Sequence, residues 1–236
     1  MLKVLGIIPA RGGSKGIPRK NIKDLCGKPL LAYTVESALA SSRLTRTILS
    51  TEDEEIAGIG KQLGVDVPFM RPIELASDDA TSFEVVLHAV TELEKQNEFY
   101  DAVCLLQPTS PLRTSKEIDD CIDMLETTGA DSVLSVLPVP YEYNPLWVFL
   151  PSRNGDLKLV NGQTEPVSRR QDLPKALHRE GSVYVTRRDV LFRHGTLYGS
   201  IIRGYTVSHD RSVNIDSLDD WYLAEQKIGS RAGNAC

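Results

Sequence analysis

Short apolar runs and segments of helical periodicity take turns over the first 139 residues, and that alternation restricts the chain to an α/β architecture with a mainly parallel sheet. "KVLGIIPA" reads as a buried strand, and "PLLAYTVESALASS" as a helix behind Pro29, a residue suited to a first helical turn. "RTILST" follows as a strand, "DEEIAGIGKQLG" as a helix opening on acids and stopping near Gly64, and "VDVPFM" as a third strand or extended segment. "FEVVLHAVTELEKQ" is amphipathic. "DAVCLLQP" is the most apolar strand and is expected at the centre of the sheet, and "SKEIDDCIDMLETTG" and "ADSVLSVLPV" continue the alternation.

The rhythm breaks at Pro138. From there to Arg179 stand six prolines, at 138, 140, 145, 151, 166 and 174, with Tyr141, Tyr143, Trp147 and Phe149 between them. A structureless loop of that length is uncommon inside a compact domain, so short strands forming an arm at about 139–179 are expected. "GSVYVTRRDVLF" and "GSIIRGYTVS" read as strands again, "SVNID" as a short strand, "SLDDWYLAEQKIG" as a closing helix with an acidic start, and "SRAGNAC" as a frayed tail. The expectation is one domain over 1–236 with the arm inserted; 236 residues, 41% of them hydrophobic, suffice for one large core.

The formal net charge of −5 speaks against a general polyanion binder, so nucleic acid is not an expected partner and any basic patch must be local. Cys26, Cys104, Cys121 and Cys236 have no CxxC spacing, which indicates neither a zinc site nor a disulfide framework. No stretch approaches the roughly 18 apolar residues of a membrane span. A cytoplasmic chain without a membrane partner is expected.

The local basic patch is "IIPARGGSKGIPRKN", residues 7–21, which sets Arg11, Lys15, Arg19 and Lys20 among Gly12, Gly13 and Gly16. A glycine loop leaving a strand can turn its N–H groups toward an anion, and open α/β sheets collect ligands at the carboxyl ends of strands. Neither the Walker spacing nor G-x-G-x-x-G is present, so an ATPase or dehydrogenase reading loses its support. The plain alternative is a solvated basic turn.

This stretch is similar to the signature loop of the acylneuraminate cytidylyltransferases, the CMP-sialic acid synthetase family. Four more segments resemble that family in order: "RPIELASDDATS" (71–82), "LLQPTSPLR" (105–113), "RRQDLPKALHREGSVYV" (169–185) and "SVNIDSLDDW" (212–221). The likeness spans nearly the whole chain. It implies a Rossmann-like nucleotidyltransferase fold with a small dimerisation arm. It also implies an enzyme that transfers CMP from CTP to a nonulosonic acid, releasing pyrophosphate, with Mg2+ as cofactor. By the same likeness Arg11, Lys20 and Asp216 are catalytic, and Arg11, Ser14, Lys20 and Asn21 hold the triphosphate. Arg71, Ala80 and Ser82 border the cytosine, Gln107, Arg170 and Tyr184 the sugar, and Asn214 and Asp216 the metal. A homodimer or dimer of dimers is implied, with the arm reaching the neighbouring site.

The residues themselves leave several readings open. Ser82 also suits a helix N-cap, and Asp78 and Asp79 are acids that could cap the same helix. Gln107 would emerge at the carboxyl edge of its strand, beside a turn of Pro108 and Pro111 with Arg113 in solvent. Arg170 could grip a sugar carboxylate with two parallel bonds. Asn214 and Asp216 would share one strand face, although Asp216 could instead cap the last helix. Many members of the family have asparagine where Glu180 stands, His178 is also unusual, and two aspartates are common where this chain has Asn214 and Asp216. The acceptor is therefore open among sialic, legionaminic, pseudaminic and KDN-type acids. A nucleotidyltransferase for a sugar 1-phosphate held by Arg169, Arg170, His178 and Arg179 is one rival, and a non-catalytic nucleotide-binding module, favoured by Asn214, is another.

Overall fold

Residues 1–232 are described here from a computed structural model. Strand β1 (Val4–Pro9) runs into the basic loop, a small hairpin of β2 (Asp24–Leu25) and β3 (Lys28–Pro29) turns the chain, and α1 (Leu30–Leu39) returns it to β4 (Arg46–Ser50). Helices α2 (Glu54–Gln62) and α3 (Ser82–Glu94) precede β5 (Ala102–Leu106), and α4 (Ser115–Thr128) precedes β6 (Ser132–Pro138). The arm carries β7 (Phe149–Pro151) and β8 (Leu157–Leu159). Then come β9 (Leu177–Arg187), α5 (Arg188–His194), β10 (Ile202–Thr206) and α6 (Leu218–Ala232).

Six strands form the main sheet in the order β10-β6-β9-β5-β1-β4. The pairs β1–β4, β1–β5 and β10–β6 are parallel, while β9 runs antiparallel to both β5 and β6. The mainly parallel sheet expected from the alternation is thus present, with one reversed strand near its middle. The reversal has a local cause: β6 and β9 are the two legs of a hairpin, paired down to Pro138 and Leu177 and clipped by Val139 N–H donating to the Ala176 carbonyl at 2.9 Å. The arm is the long loop of that hairpin, and β7 and β8 pair antiparallel within it.

All five residues of β5 are buried, consistent with its expected central place. Side chains alternate along it: Ala102, Cys104 and Leu106 meet α1 and α4, while Val103 and Leu105 meet α3. Helices α3 and α4 begin with reciprocal capping boxes, Thr81 with Glu84 and Thr114 with Glu117. The cap of α3 is therefore Thr81, which leaves the Ser82 hydroxyl and both preceding aspartates for other partners.

Two strand expectations are corrected. "GSVYVTRRDVLF" is strand only to Arg187. Its second half is α5, held by an Asp189–Arg193 pair one turn apart at 3.3 Å and ended by Gly195 in the left-handed region at φ +62°. "SVNID" makes no ladder: the Ile215 N–H donates to the Thr109 carbonyl at 2.9 Å, and the Ile215 carbonyl is taken by a lysine, so loops use both groups. "VDVPFM" is extended, joined to β4 by a single bridge between Ile48 and Asp66. Helix α6 continues through Ser230, Arg231 and Ala232 of the tail expected to fray, and the rest of that tail, 233–236, lies outside the described residues. Among the described residues no helix is long and apolar enough to cross a membrane.

Candidate active site

From β1 the chain moves to β4 on one side and, after two helices, to β5 on the other. The carboxyl ends of β1 and β5 therefore face a topological switch point, where open α/β sheets bind ligands. A cleft of about 660 Å³ opens there. Its walls are the basic loop after β1, the segment around Arg71–Ser82, the turn after β5, the first half of β9 and the stretch around Asn214–Asp216.

The basic loop is held from below. Ile17 is buried with Val213, Ile215 and Trp221, so loop and C-terminal stretch share one small core. A Cβ on Gly16 would collide with the Asp216 carbonyl, which makes this glycine a close-approach residue. Lys20 Nζ donates to the Ile215 carbonyl at 2.5 Å and lies 3.3 Å from Asp216 Oδ1. Asn21 Nδ2 donates to the Arg11 carbonyl at 2.9 Å, bracing the turn that presents Arg11. Arg19, at φ +54°, instead turns outward to Asp53 and Glu55 and does not line the cleft. The Asp53 carboxyl is held below the usual carboxylate range chiefly by that guanidinium.

The second wall is tied to the first by charge. Arg11 donates to the Ser77 carbonyl at 3.0 Å and pairs with Asp78 at 3.0 Å, while Lys15 reaches the other Asp78 oxygen at 2.6 Å. Those contacts, Lys15 first, lower the Asp78 pKa. Asp78 is thus a bridge between two walls and caps no helix. Arg71, only 4% exposed, pairs with Glu52 at 2.7 Å, and the other Glu52 oxygen accepts the Gly12 N–H at 2.7 Å. The sequence signals Glu52 only through the acid run "TEDEE" after β4. Ser82 Oγ accepts from Gln107 Nε2 at 3.3 Å, joining α3 to the turn after β5.

Behind that turn Arg113 is buried, where a solvated side chain was expected. Its Nη1 donates to the carbonyls of Gln107 at 3.1 Å and Ser182 at 2.8 Å, and burial pulls its pKa down to about 10. Glu180 is also buried: it accepts from Ser182 N and Oγ at 3.0 and 2.6 Å and from Ser212 Oγ at 3.2 Å. It therefore fastens β9 to the stretch leading to Asn214. Tyr184 lines the cleft with its pKa raised by burial.

Of the site residues expected from sequence, the cleft gathers Arg11, Ser14, Lys20, Asn21, Arg71, Ala80, Ser82, Gln107, Tyr184, Asn214 and Asp216. Arg170 is not among them. It sits at the start of a 3-10 turn in the arm, its guanidinium 3.8 Å above the Tyr141 ring. Asp216 does not cap α6: Ser217 Oγ accepts the Asp220 N–H at 3.3 Å, and Asp220 accepts the Ser217 N–H in return at 2.8 Å. Asn214 Nδ2 donates to Asp216 Oδ2 at 2.7 Å, so the two oxygen-bearing side chains face the same way without a strand. Among the described residues no cluster of three His, Cys, Asp or Glu could hold a metal. One carboxylate and one amide oxygen fit a magnesium ion whose remaining ligands are phosphate oxygens and water.

Comparison with known proteins agrees with this geometry. Residues 5–201 match the cytidylyltransferase family. The chain is 33% identical over 224 residues to a pseudaminic acid cytidylyltransferase of Campylobacter jejuni, covering 95% of each chain. It is 32% identical over 227 residues to the CMP-N,N'-diacetyllegionaminic acid synthase of Legionella pneumophila, covering 95% of this chain and 96% of that one. An N-acylneuraminate cytidylyltransferase A of Danio rerio is 33% identical over 227 residues, covering 95% of this chain and 50% of that one. The solved structure of a CMP:2-keto-3-deoxy-manno-octonic acid synthetase complexed with CTP superposes with a TM-score of 0.71 at 18% identity, covering 98% and 99% of the two chains. That likeness establishes the nucleotidyltransferase fold. With the family match over most of its length and relatives above 30% identity at near-full coverage, this chain belongs to the acylneuraminate cytidylyltransferase family.

Proposed function

We propose that the protein transfers CMP from CTP to a nonulosonic acid, forming a CMP-sugar and releasing pyrophosphate. The observation that carries this reading is the convergence at one switch-point cleft of the cationic loop 11–21, the Arg71–Ser82 wall and the Asn214–Asp216 stretch. Relatives named for pseudaminic, diacetyllegionaminic and acylneuraminic acids support the acceptor class.

The sugar hydroxyl attacks the α-phosphorus. A new P–O bond forms, the bond to the bridging oxygen breaks, the hydroxyl proton is released, and negative charge gathers on the departing pyrophosphate. Arg11 and Lys20, which line the cleft, would neutralise that charge, and such pre-positioned cations act most strongly where water is scarce. Arg71, fixed by Glu52, and Ser82 line the wall assigned to the cytosine. Asn214 and Asp216 would hold a magnesium ion, which supplies charge neutralisation at the phosphates.

We further place the protein in the cytoplasm as a homodimer built through its arm. Supporting the dimer, the arm exposes Tyr143, Phe149, Leu150 and Leu157, at 69%, 43%, 56% and 65%. The test is a pyrophosphate-release assay pairing CTP, UTP, ATP and GTP with N-acetylneuraminic, legionaminic, pseudaminic and KDN acids and with sugar 1-phosphates. Release only with CTP and one or more of the acids is expected; release with a sugar 1-phosphate alone would replace this reading.

A further inference from the structure

Five cationic side chains line the cleft: Arg11, Lys15, Lys20, Arg71 and Arg179. Four have carboxylate partners, Asp78 for the first two, Asp216 for Lys20 and Glu52 for Arg71. Arg179 makes no ion pair among the described residues. Its polar neighbours are the hydroxyls of Tyr184 and Tyr198, and the nearest acid along the chain, Glu180, is turned inward onto Ser182 and Ser212.

Its place in the fold is equally informative. Because β9 runs against its neighbours, its first residues reach the edge where β5 ends: Tyr184 pairs with both Leu105 and Leu134, and across the register shift between Leu134 and Val136, Arg179 lies opposite Val136, level with Gln107. Arg179 therefore stands above the turn that presents Gln107. The order β9-β5-β1 puts it two strand spacings, about 10 Å, from the strand that carries the phosphate loop. A ligand with a triphosphate at Arg11 and Lys20 would have its acceptor at the β9 end.

We propose that Arg179 binds the carboxylate of the acceptor acid, setting specificity for acids over neutral sugars. This rests on the function proposed above and deepens it. In a nonulosonic acid the carboxylate sits on C1 and the reacting hydroxyl on C2, so a guanidinium that grips the first fixes the second to within a bond or two. A planar fork suits that task, and the hydroxyls of Tyr184 and Tyr198 lie beside it. Arg170, stacked on Tyr141 in the arm, does not enter the cleft of its own chain.

The test is a cycle between protein and ligand. The acid turned over fastest by the parent, and its C1 carboxamide, are measured as substrate or as competitive inhibitor against the parent, Arg179→Lys, Arg179→Ala and Arg170→Ala, with CTP saturating. For Arg179→Ala the acceptor KM should rise about 10- to 100-fold with the CTP KM unchanged, and Arg179→Lys should recover only part of it. The parent should prefer acid to carboxamide, and Arg179→Ala should bind both alike, a convergence that mere distortion of the cleft would not produce. If Arg179→Ala keeps the parent's acid preference, or if Arg170→Ala alone removes it, the inference is overturned. If the parent turns over none of the acids, the proposed function falls first and the inference with it, an outcome already visible before any variant is made.

Discussion

The two ends of the cleft are built differently. At the end proposed for the nucleotide the cleft-lining cations are already engaged: Asp78 holds Arg11 and Lys15, Asp216 and the Ile215 carbonyl hold Lys20, and Glu52 holds Arg71. At the end proposed for the acceptor Arg179 makes no ion pair among the described residues and has the hydroxyls of Tyr184 and Tyr198 beside it. A triphosphate would thus meet cations that already have carboxylate partners at one end, whereas an acid acceptor would meet a cation without such a partner at the other. Acid-to-amide changes at the phosphate end can therefore weaken or strengthen CTP binding, according to whether the acid positions a cation or competes for it.

The largest expected effect lies with the cations themselves. Arg11→Ala and Lys20→Ala should each lower kcat by about 10²- to 10³-fold, leaving acceptor KM nearly unchanged. Steady-state rates at saturating CTP and acceptor check this, and parent-like turnover in both variants would remove the loop from the reaction. Next comes Glu52, which positions a cation. Glu52→Gln should raise the CTP KM about tenfold and lower the thermal midpoint, because Arg71 loses its buried counter-charge. An acceptor KM that moved instead would place Arg71 at the other end of the cleft.

Asn214→Asp adds a charge beside Asp216 and should lower the magnesium concentration for half-maximal rate several-fold, roughly what one nearby exposed charge supplies. The rate against magnesium, together with Mn2+ binding followed by electron paramagnetic resonance, measures it. The smallest change should have the opposite sign to that at Glu52. Asp78→Asn frees Arg11 and Lys15, so the CTP KM should fall by roughly two- to fivefold, the scale of exposed ion pairs. A raised CTP KM would show that Asp78 positions the cations and does not compete with the nucleotide.

The same contrast explains what could be read from the residues alone. The end assigned to the phosphates is made by the loop directly following β1, and apolar strand signals next to Gly, Arg and Lys suffice to set Arg11 and Lys20 at the sheet edge, as the β5 signal does for Gln107. Its long-range bonds were not legible: nothing in "TEDEE" says that Glu52 reaches both Gly12 and Arg71, since that depends on β4 lying beside β1. The acceptor end depends on β9 reversing across two neighbours after a 38-residue excursion between Pro138 and Leu177, which no local pattern encodes. Hence the "QDLP" segment points to Arg170, which does not line the cleft of its own chain, while the place of Arg179 at the cleft depends on the direction of β9. Arg113 was placed in solvent for the same reason: its burial comes from Ser182, 69 residues away.

The most direct test is phosphorus nuclear magnetic resonance of CTP, magnesium and the preferred acid with the parent enzyme, followed in time. The three CTP signals should decline together, while pyrophosphate and a single phosphodiester signal of a CMP-sugar grow in equal amounts. Growth of CDP with orthophosphate, or CTP consumption at the same rate without any acid present, would contradict it.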